Sequence, residues 1–300
     1  MNKRVYILTE RRYLAPMDPS AYEQQILDEE SILSLAFAAK GIDATRVDWS
    51  DPKVDWEAAD AAIFRSTWDY FDRFEEFKDW IGPTSKKIRF INPYETIFWN
   101  MDKHYLIDLE KKGVPIVPSR FIEIGSKDSL ASLCAKEDWN EFILKPCVSG
   151  TARHTYRFNR SGIAEHEAIL KQLIQKEGMM LQEFHTSIME RGEVSHMVMG
   201  GKYSHSILKT AKTGEFRVQD DFGGTVKSYE ANEEEIAFAE KSIKTCDPIP
   251  LYGRVDVMWG KQGELMLTEL ELVEPELWFR IHPGAADLLA EAVRSFLNKR

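Results

Sequence analysis

Short apolar runs alternate with helix-spaced patterns through the first third of the chain. Residues 4–9 (RVYILT) read as a buried strand. From 21 to 40 apolar residues recur at helical spacing until Gly41 ends the run. Residues 45–49 and 61–65 (AAIFR) read as short strands, 71–81 as a helix, and 89–91, ahead of Asn92-Pro93, as a fourth strand. Strands alternating with helices predict a small parallel sheet. A helix over 102–112, closed by Gly113, marks a change of pattern. Beyond it, 116–122 and 141–148 read as strands around a helix near 127–136, followed by a strand at 154–158, a helix at 163–176 and a strand at 179–184. The last third predicts a hairpin over 193–211 turning at Gly200-Gly201, a helix over 233–244, a second hairpin over 252–273 and an amphipathic helix over 285–297. The expected organisation is three parts, 1–98, 99–186 and 187–300: a small parallel α/β lobe and two α+β units.

The composition, 43% hydrophobic and 29% charged, is that of a globular protein, and a net charge of -10 argues against nucleic acid or an anionic membrane as partner. No run approaches the roughly 20 apolar residues of a membrane helix, and the N-terminus lacks a signal-peptide core. Cys134, Cys147 and Cys246 are scattered without metal-ligand spacing and read as small packing residues, as expected of a cytoplasmic protein.

The second hairpin carries the strongest chemistry. With 260–263 as its turn, Trp259 faces Glu264, Asp256 faces Leu267 and Arg254 faces Glu269. Opposed residues share a face and each strand alternates, so Arg254, Asp256, Glu269 and Glu271 point one way. Val255, Val257, Trp259, Met266, Thr268 and Leu270 point the other. Carboxylates clustered on an otherwise apolar strand pair repel one another unless cations neutralise them. Magnesium, a hard ion that takes carboxylate and phosphate oxygens, suits the set. A solvent-facing charged stripe is the bland alternative, and a one-residue change of register turns Asp256 away from the glutamates.

GRVDVM, a turn and LTELE resemble the magnesium-binding hairpin of the ATP-grasp superfamily, in particular the D-alanine–D-alanine ligases. The resemblance implies an ATP-grasp fold, ATP and magnesium as cofactors (two ions, with manganese as a substitute), and a carboxylate–amine ligase. It assigns metal binding to Asp256, Glu269 and Glu271, with Glu269 bridging, and places Arg254 at the transferring phosphate or oxyanion. Glu271 stands where those ligases usually carry Asn, and VEPELWFR replaces their usual ending.

Phe142–His154 (FILKPCVSGTARH) is a strand ending in Lys-Pro and a small-residue loop, Ser149-Gly150-Thr151, that lets backbone N–H groups approach phosphate oxygens. It is not a Walker A loop. In the same family, a lysine at the position of Lys145 touches the α- and β-phosphates, and Lys103 resembles the second phosphate lysine. Met180-Leu-Gln-Glu183-Phe184 resembles the inter-lobe strand that meets adenine, and Glu193 takes the place of the ribose acid. Lys209 and Arg217 resemble basic positions of glutathione synthetases and ribosomal-protein glutamate ligases, which implies γ-phosphate or acceptor contacts. The resemblance covers roughly 100–275.

On the substrate side, RSTWDYFDR (65–73) follows the third predicted strand, where ligands of open α/β sheets sit. Arg65 is a candidate grip for a substrate carboxylate, Trp68 an apolar wall and Arg280 a second grip; plain packing is the alternative for Trp68. The strand–WDY lobe and ELELVEP also resemble the cyclo-ligase of D-cycloserine biosynthesis, which implies an amino-acid-sized substrate. The expected partners are small-molecule carboxylate and amine substrates; a homodimer is compatible with the sequence. A small-molecule kinase on the same fold is the competing enzyme class, and a nucleotide-binding module without turnover the non-enzymatic one.

Overall fold

The computed structural model describes residues 2–212 and 223–299. Four parallel strands open the chain, β1 (Lys3–Thr9), β2 (Ile42–Asp48), β3 (Ala61–Ser66) and β4 (Arg89–Ile91), in the order β2-β1-β3-β4. β3 is buried along its whole length, which is why its sequence is an apolar run instead of an alternation. The helix Ala21–Ala39 starts at a capping box in which Ser20 and Glu23 satisfy each other's free N–H groups. Gly41, at φ 72°, turns the chain back into β2.

Two antiparallel sheets follow. β5 (Ser119–Ile122), β6 (Glu141–Pro146), β7 (Tyr156–Asn159) and β8 (Met179–Glu183) pair in the order β5-β8-β6-β7. β9 (Glu193–Met199), β10 (Lys202–Thr210), β11 (Thr225–Tyr229), β12 (Tyr252–Trp259) and β13 (Leu265–Glu271) pair as β11-β10-β9-β12-β13. The sequence pattern anticipates every one of these strands but β11, and it misses the helix Tyr94–Asn100. The helix predicted at 71–81 runs instead over Phe74–Ser85.

The first and last parts of the chain share one core. Val5, Ile7 and Leu33 pack with Met197, Tyr252 and Leu289 of the closing helix Gly284–Asn298. Side chains stitch the joint. Asn92, itself at φ 56°, donates to Tyr252 O and Leu272 O and accepts from Leu251 N and Tyr252 N. Asn100 bonds Leu270 O at 2.8 Å and Leu272 N at 2.9 Å, and Leu270 N donates to Tyr105 Oη at 2.8 Å. β13 ends its sheet, so its outer backbone groups lack a strand partner. These three side chains, with backbone bonds to Pro115 and Val117, fill that need. The strand that bears the two glutamates is thereby fixed from both sides.

Among the described residues no helix is long and apolar enough to cross a membrane. All three cysteines are free and buried, as their packing role required.

Candidate active site

A cleft collects residues from the two antiparallel sheets, from the loop after β3 and from the helix Ala21–Ala39. Its floor is the hairpin of β12 and β13, whose register differs from the expected one. Trp259 pairs with Leu265, not Glu264, and Val257 with Leu267. A bulge then leaves Thr268 without an opposite residue, after which Asp256 pairs with Glu269 and Arg254 with Glu271. The two one-residue displacements add to a shift of two, which restores the facing, so Arg254, Asp256, Glu269 and Glu271 do line one cleft. Thr268 joins them and does not lie on the packing side: its hydroxyl donates to Asp256 O at 2.9 Å and to Glu193 Oε2 at 3.0 Å.

Every floor carboxylate has a cation. Asp256 accepts from Arg254 Nε at 2.9 Å, Lys209 Nζ at 3.1 Å and Ser195 Oγ at 2.6 Å. Burial alone would raise its pKa; Arg254 and Lys209 outweigh that and hold it below the ordinary carboxylate range. Glu269 meets Lys103 at 3.0 Å, and Lys103 with Lys145 likewise overcomes burial to hold it down. Glu271 pairs with Arg254 but is pushed up to about 8 by burial, with Asp256 and Glu269 adding to the rise. Burial lifts Glu274, next along the cleft, well above its usual value. Lys209 also pairs with Glu193.

The roof is the loop after β6. Lys145 lines the cleft, and burial lowers its pKa. Lys103 Nζ donates to Ser149 O at 2.8 Å, which ties the second lysine to the loop. Thr151, Ala152 and His154 sit at φ 46°, 55° and 51°. A left-handed β-branched residue is a steric exception, so the loop holds strain where the phosphates are expected. Gly150 is needed for a different reason. A Cβ added there would lie 2.5 Å from Cε1 of Phe71, a ring from the first lobe that closes against the loop.

Glu183 and Phe184 line the far, more apolar end together with Ile143 and Met258. Their N–H groups are already bonded, to Pro118 O and Glu141 O, which leaves a base to other atoms of that segment. Trp68 is at the cleft wall, its Nε1 donating to Glu274 O at 3.1 Å. Arg65 and Arg280 do not line the cleft itself; they stand in a recess behind Trp68. Arg217 lies outside the described residues. The sequence reading missed Ser195, Phe71 and Glu274. The alternation of Glu193 and Ser195 along β9 is a signal that would have found the serine.

The family model described as "D-cycloserine synthetase DcsG, N-terminal domain" matches residues 5–92. The cycloserine biosynthesis protein DcsG of Streptomyces lavendulae is 32% identical over 274 residues, 86% of this chain and 90% of that protein. The crystal structure of D-cycloserine synthetase DcsG superposes with a TM-score of 0.87 at 29% identity, covering 98% of this chain and 100% of that one. Two more distant ligases share the fold. D-alanine–D-alanine ligase from Bacillus anthracis has a TM-score of 0.68 at 13% identity, covering 98% of this chain and 99% of that one. The ATP-grasp ligase PsnB, solved with its minimal precursor, Mg and ADP, has a TM-score of 0.64 at 13% identity, covering 99% of this chain and 98% of that one. The architecture is thus that of the ATP-grasp ligases, a parallel α/β sheet followed by two antiparallel α+β units. Within that class the chain belongs to the family of DcsG.

Proposed function

We propose that the protein uses ATP and magnesium to activate a substrate carboxylate as an acyl phosphate, which a nitrogen nucleophile converts to an amide. The convergence of Asp256, Glu269 and Glu271 on one cleft face, opposite Lys103 and Lys145, carries this reading. Magnesium fits the donor set, which is all oxygen. In the protein alone these acids are matched by Arg254, Lys103 and Lys209. Once those cations turn toward a triphosphate, buried carboxylates need a replacement charge, and a divalent ion supplies it. Asp256, Glu269 and Glu271 would hold it. Bound there, magnesium would screen the charge that builds on the phosphates.

The chain's own residues then divide the work. Lys103 and Lys145 hold the α- and β-phosphates, and Ser149, Gly150 and Thr151 close over them and exclude water. Glu193 takes the ribose, the segment at Glu183 and Phe184 meets the base, and Lys209 serves the γ-phosphate or the acceptor, a role we also assign to Arg217 on its resemblance alone. A carboxylate oxygen attacks the γ-phosphorus and ADP departs. The nitrogen then attacks the acyl carbon, the C–O bond to phosphate breaks, and the nitrogen loses a proton. Arg254 offsets the oxyanion formed between these events. We set the lobe boundaries near residues 98 and 186, and the free buried thiols suit a cytoplasmic enzyme.

Kinship with DcsG, a D-cycloserine synthetase, favours ring closure within one amino-acid-like molecule over the joining of two. The test is ATP-dependent phosphate release against pools of amino acids and dipeptides, with the product weighed. Free phosphate and a product lighter than one substrate by water support cyclisation; a condensed pair of substrates supports linear ligation. Phosphate retained on the product means a kinase and overturns the ligase reading.

A further inference from the structure

Behind Trp68 the cleft opens into a recess between the helix Ala21–Ala39, the end of β3 and residues 276–280. Tyr22, Gln25, Trp68 and Glu276 line both spaces, so the two communicate. The recess is charged, and its acids are occupied. Glu30 accepts from Arg46 Nε on one oxygen and from Ser66 Oγ at 2.5 Å on the other. Glu29 accepts from Leu277 N at 3.1 Å and Arg280 N at 3.4 Å. Glu276 accepts from Arg280 Nη2.

The donors are not satisfied in the same way. Arg65 is only 3% exposed, yet its Nε and Nη1 have no hydrogen-bond partner among the described residues. Its Nη2 stays 3.7 Å from Glu29 Oε1, an ion pair too long for a hydrogen bond. Arg280 Nε, 3.8 Å from Glu29 Oε2, is likewise unpartnered. A buried N–H left without an acceptor is destabilising, and native proteins leave few such groups unexplained. What the recess lacks is an oxygen acceptor.

We infer that the recess receives a carbonyl or carboxylate oxygen from the non-reacting end of the substrate, bound by Arg65 and Arg280. The substrate therefore carries two such groups: one is activated beside Arg254, and the other is held behind Trp68. This rests on the ligase reading of the cleft. It also fits the expectation that Arg65 and Arg280 grip a substrate carboxylate, and explains why they stand beside the cleft and not on its floor.

The test uses the full chain saturated with magnesium and a non-hydrolysable ATP analogue, titrated with three probes that share one three-carbon chain on a carboxylate. Butanoate has one carboxylate, glutarate two, and glutaramate one carboxylate and one amide. Both two-ended probes, or whichever carries the preferred acceptor, should bind at least tenfold more tightly than butanoate. Arg280→Gln and Arg65→Gln should abolish that advantage and leave affinity for the ATP analogue unchanged. Arg280→Gln carries the result if the buried Arg65→Gln does not fold. The contrast of glutarate with glutaramate tells a carboxylate from a neutral carbonyl. Equal binding of all three probes to the unaltered protein overturns the inference, as does an advantage that survives substitution. Failure to bind the ATP analogue at all sinks the ligase reading as well, and so separates the two.

Discussion

On the floor of the cleft, β13 has its outer backbone groups bonded by Asn100, Tyr105, Pro115 and Val117, and its acids bonded by Arg254 and Lys103. Across the cleft, the loop 149–154 holds three left-handed residues and meets the first lobe through the Phe71 ring at Gly150. The floor is over-determined by contacts from other elements, whereas the roof keeps a strained backbone held by the Phe71 ring, the Lys103 bond to Ser149 O and the Arg153–Glu177 ion pair. A surface proposed to present metal ligands at fixed spacing gains from the first arrangement. A cover that must admit and release a nucleotide gains from the second.

Substitutions at five positions probe that contrast. Asp256→Asn should have the largest effect, lowering steady-state phosphate release roughly 100-fold or more, since the amide cannot replace the charge bound to Arg254 and Lys209. A variant that keeps more than a tenth of the turnover breaks the account of the floor. Asn92→Ala removes four buried hydrogen bonds at once and should cost about 2–4 kcal/mol in chemical denaturation. Asn92→Gly, which keeps the positive φ without strain, should cost less than the alanine.

For the roof, Gly150→Ala should raise the KM for ATP about tenfold without lowering the melting temperature, a change of about 1.4 kcal/mol in binding. Phe71→Leu in the same chain should recover most of it; no recovery would mean that the ring is not what the loop closes on. The smallest effect concerns pH. Between about 4.5 and 8 the folded chain keeps a proton on Glu271 that the unfolded chain gives up. The melting temperature of the metal-free protein should therefore fall as pH rises through that window and change no further from this group above it. Glu271→Gln should flatten the slope.

Much of this was legible in the chain itself. The parallel sheet follows from apolar runs alternating with helices, and the meeting of Lys145 with the acids of the hairpin in one cleft from residue type and order. The hairpin register was not. The bulge at Thr268 is held by bonds to Asp256 O and to Glu193, a residue 75 positions away, and no local pattern encodes it. The acids share a face only because the turn and the bulge each displace the pairing by one. The strand β11 escaped notice because TVKSY is a largely exposed edge without an apolar rhythm. Arg65 was visible as a substrate candidate, but the recess that holds it is formed with residues more than 200 positions later.

The asparagine stitches at residues 92 and 100 have a mechanical consequence. They couple the opening sheet to the hairpin so directly that these two parts should move as one block. Any opening that admits a nucleotide should then fall to the middle sheet, β5 to β8, through the connections near Pro115 and Ser187. A spin label pair on the first and third sheets should keep its separation when nucleotide is added, while one spanning the second and third should draw together.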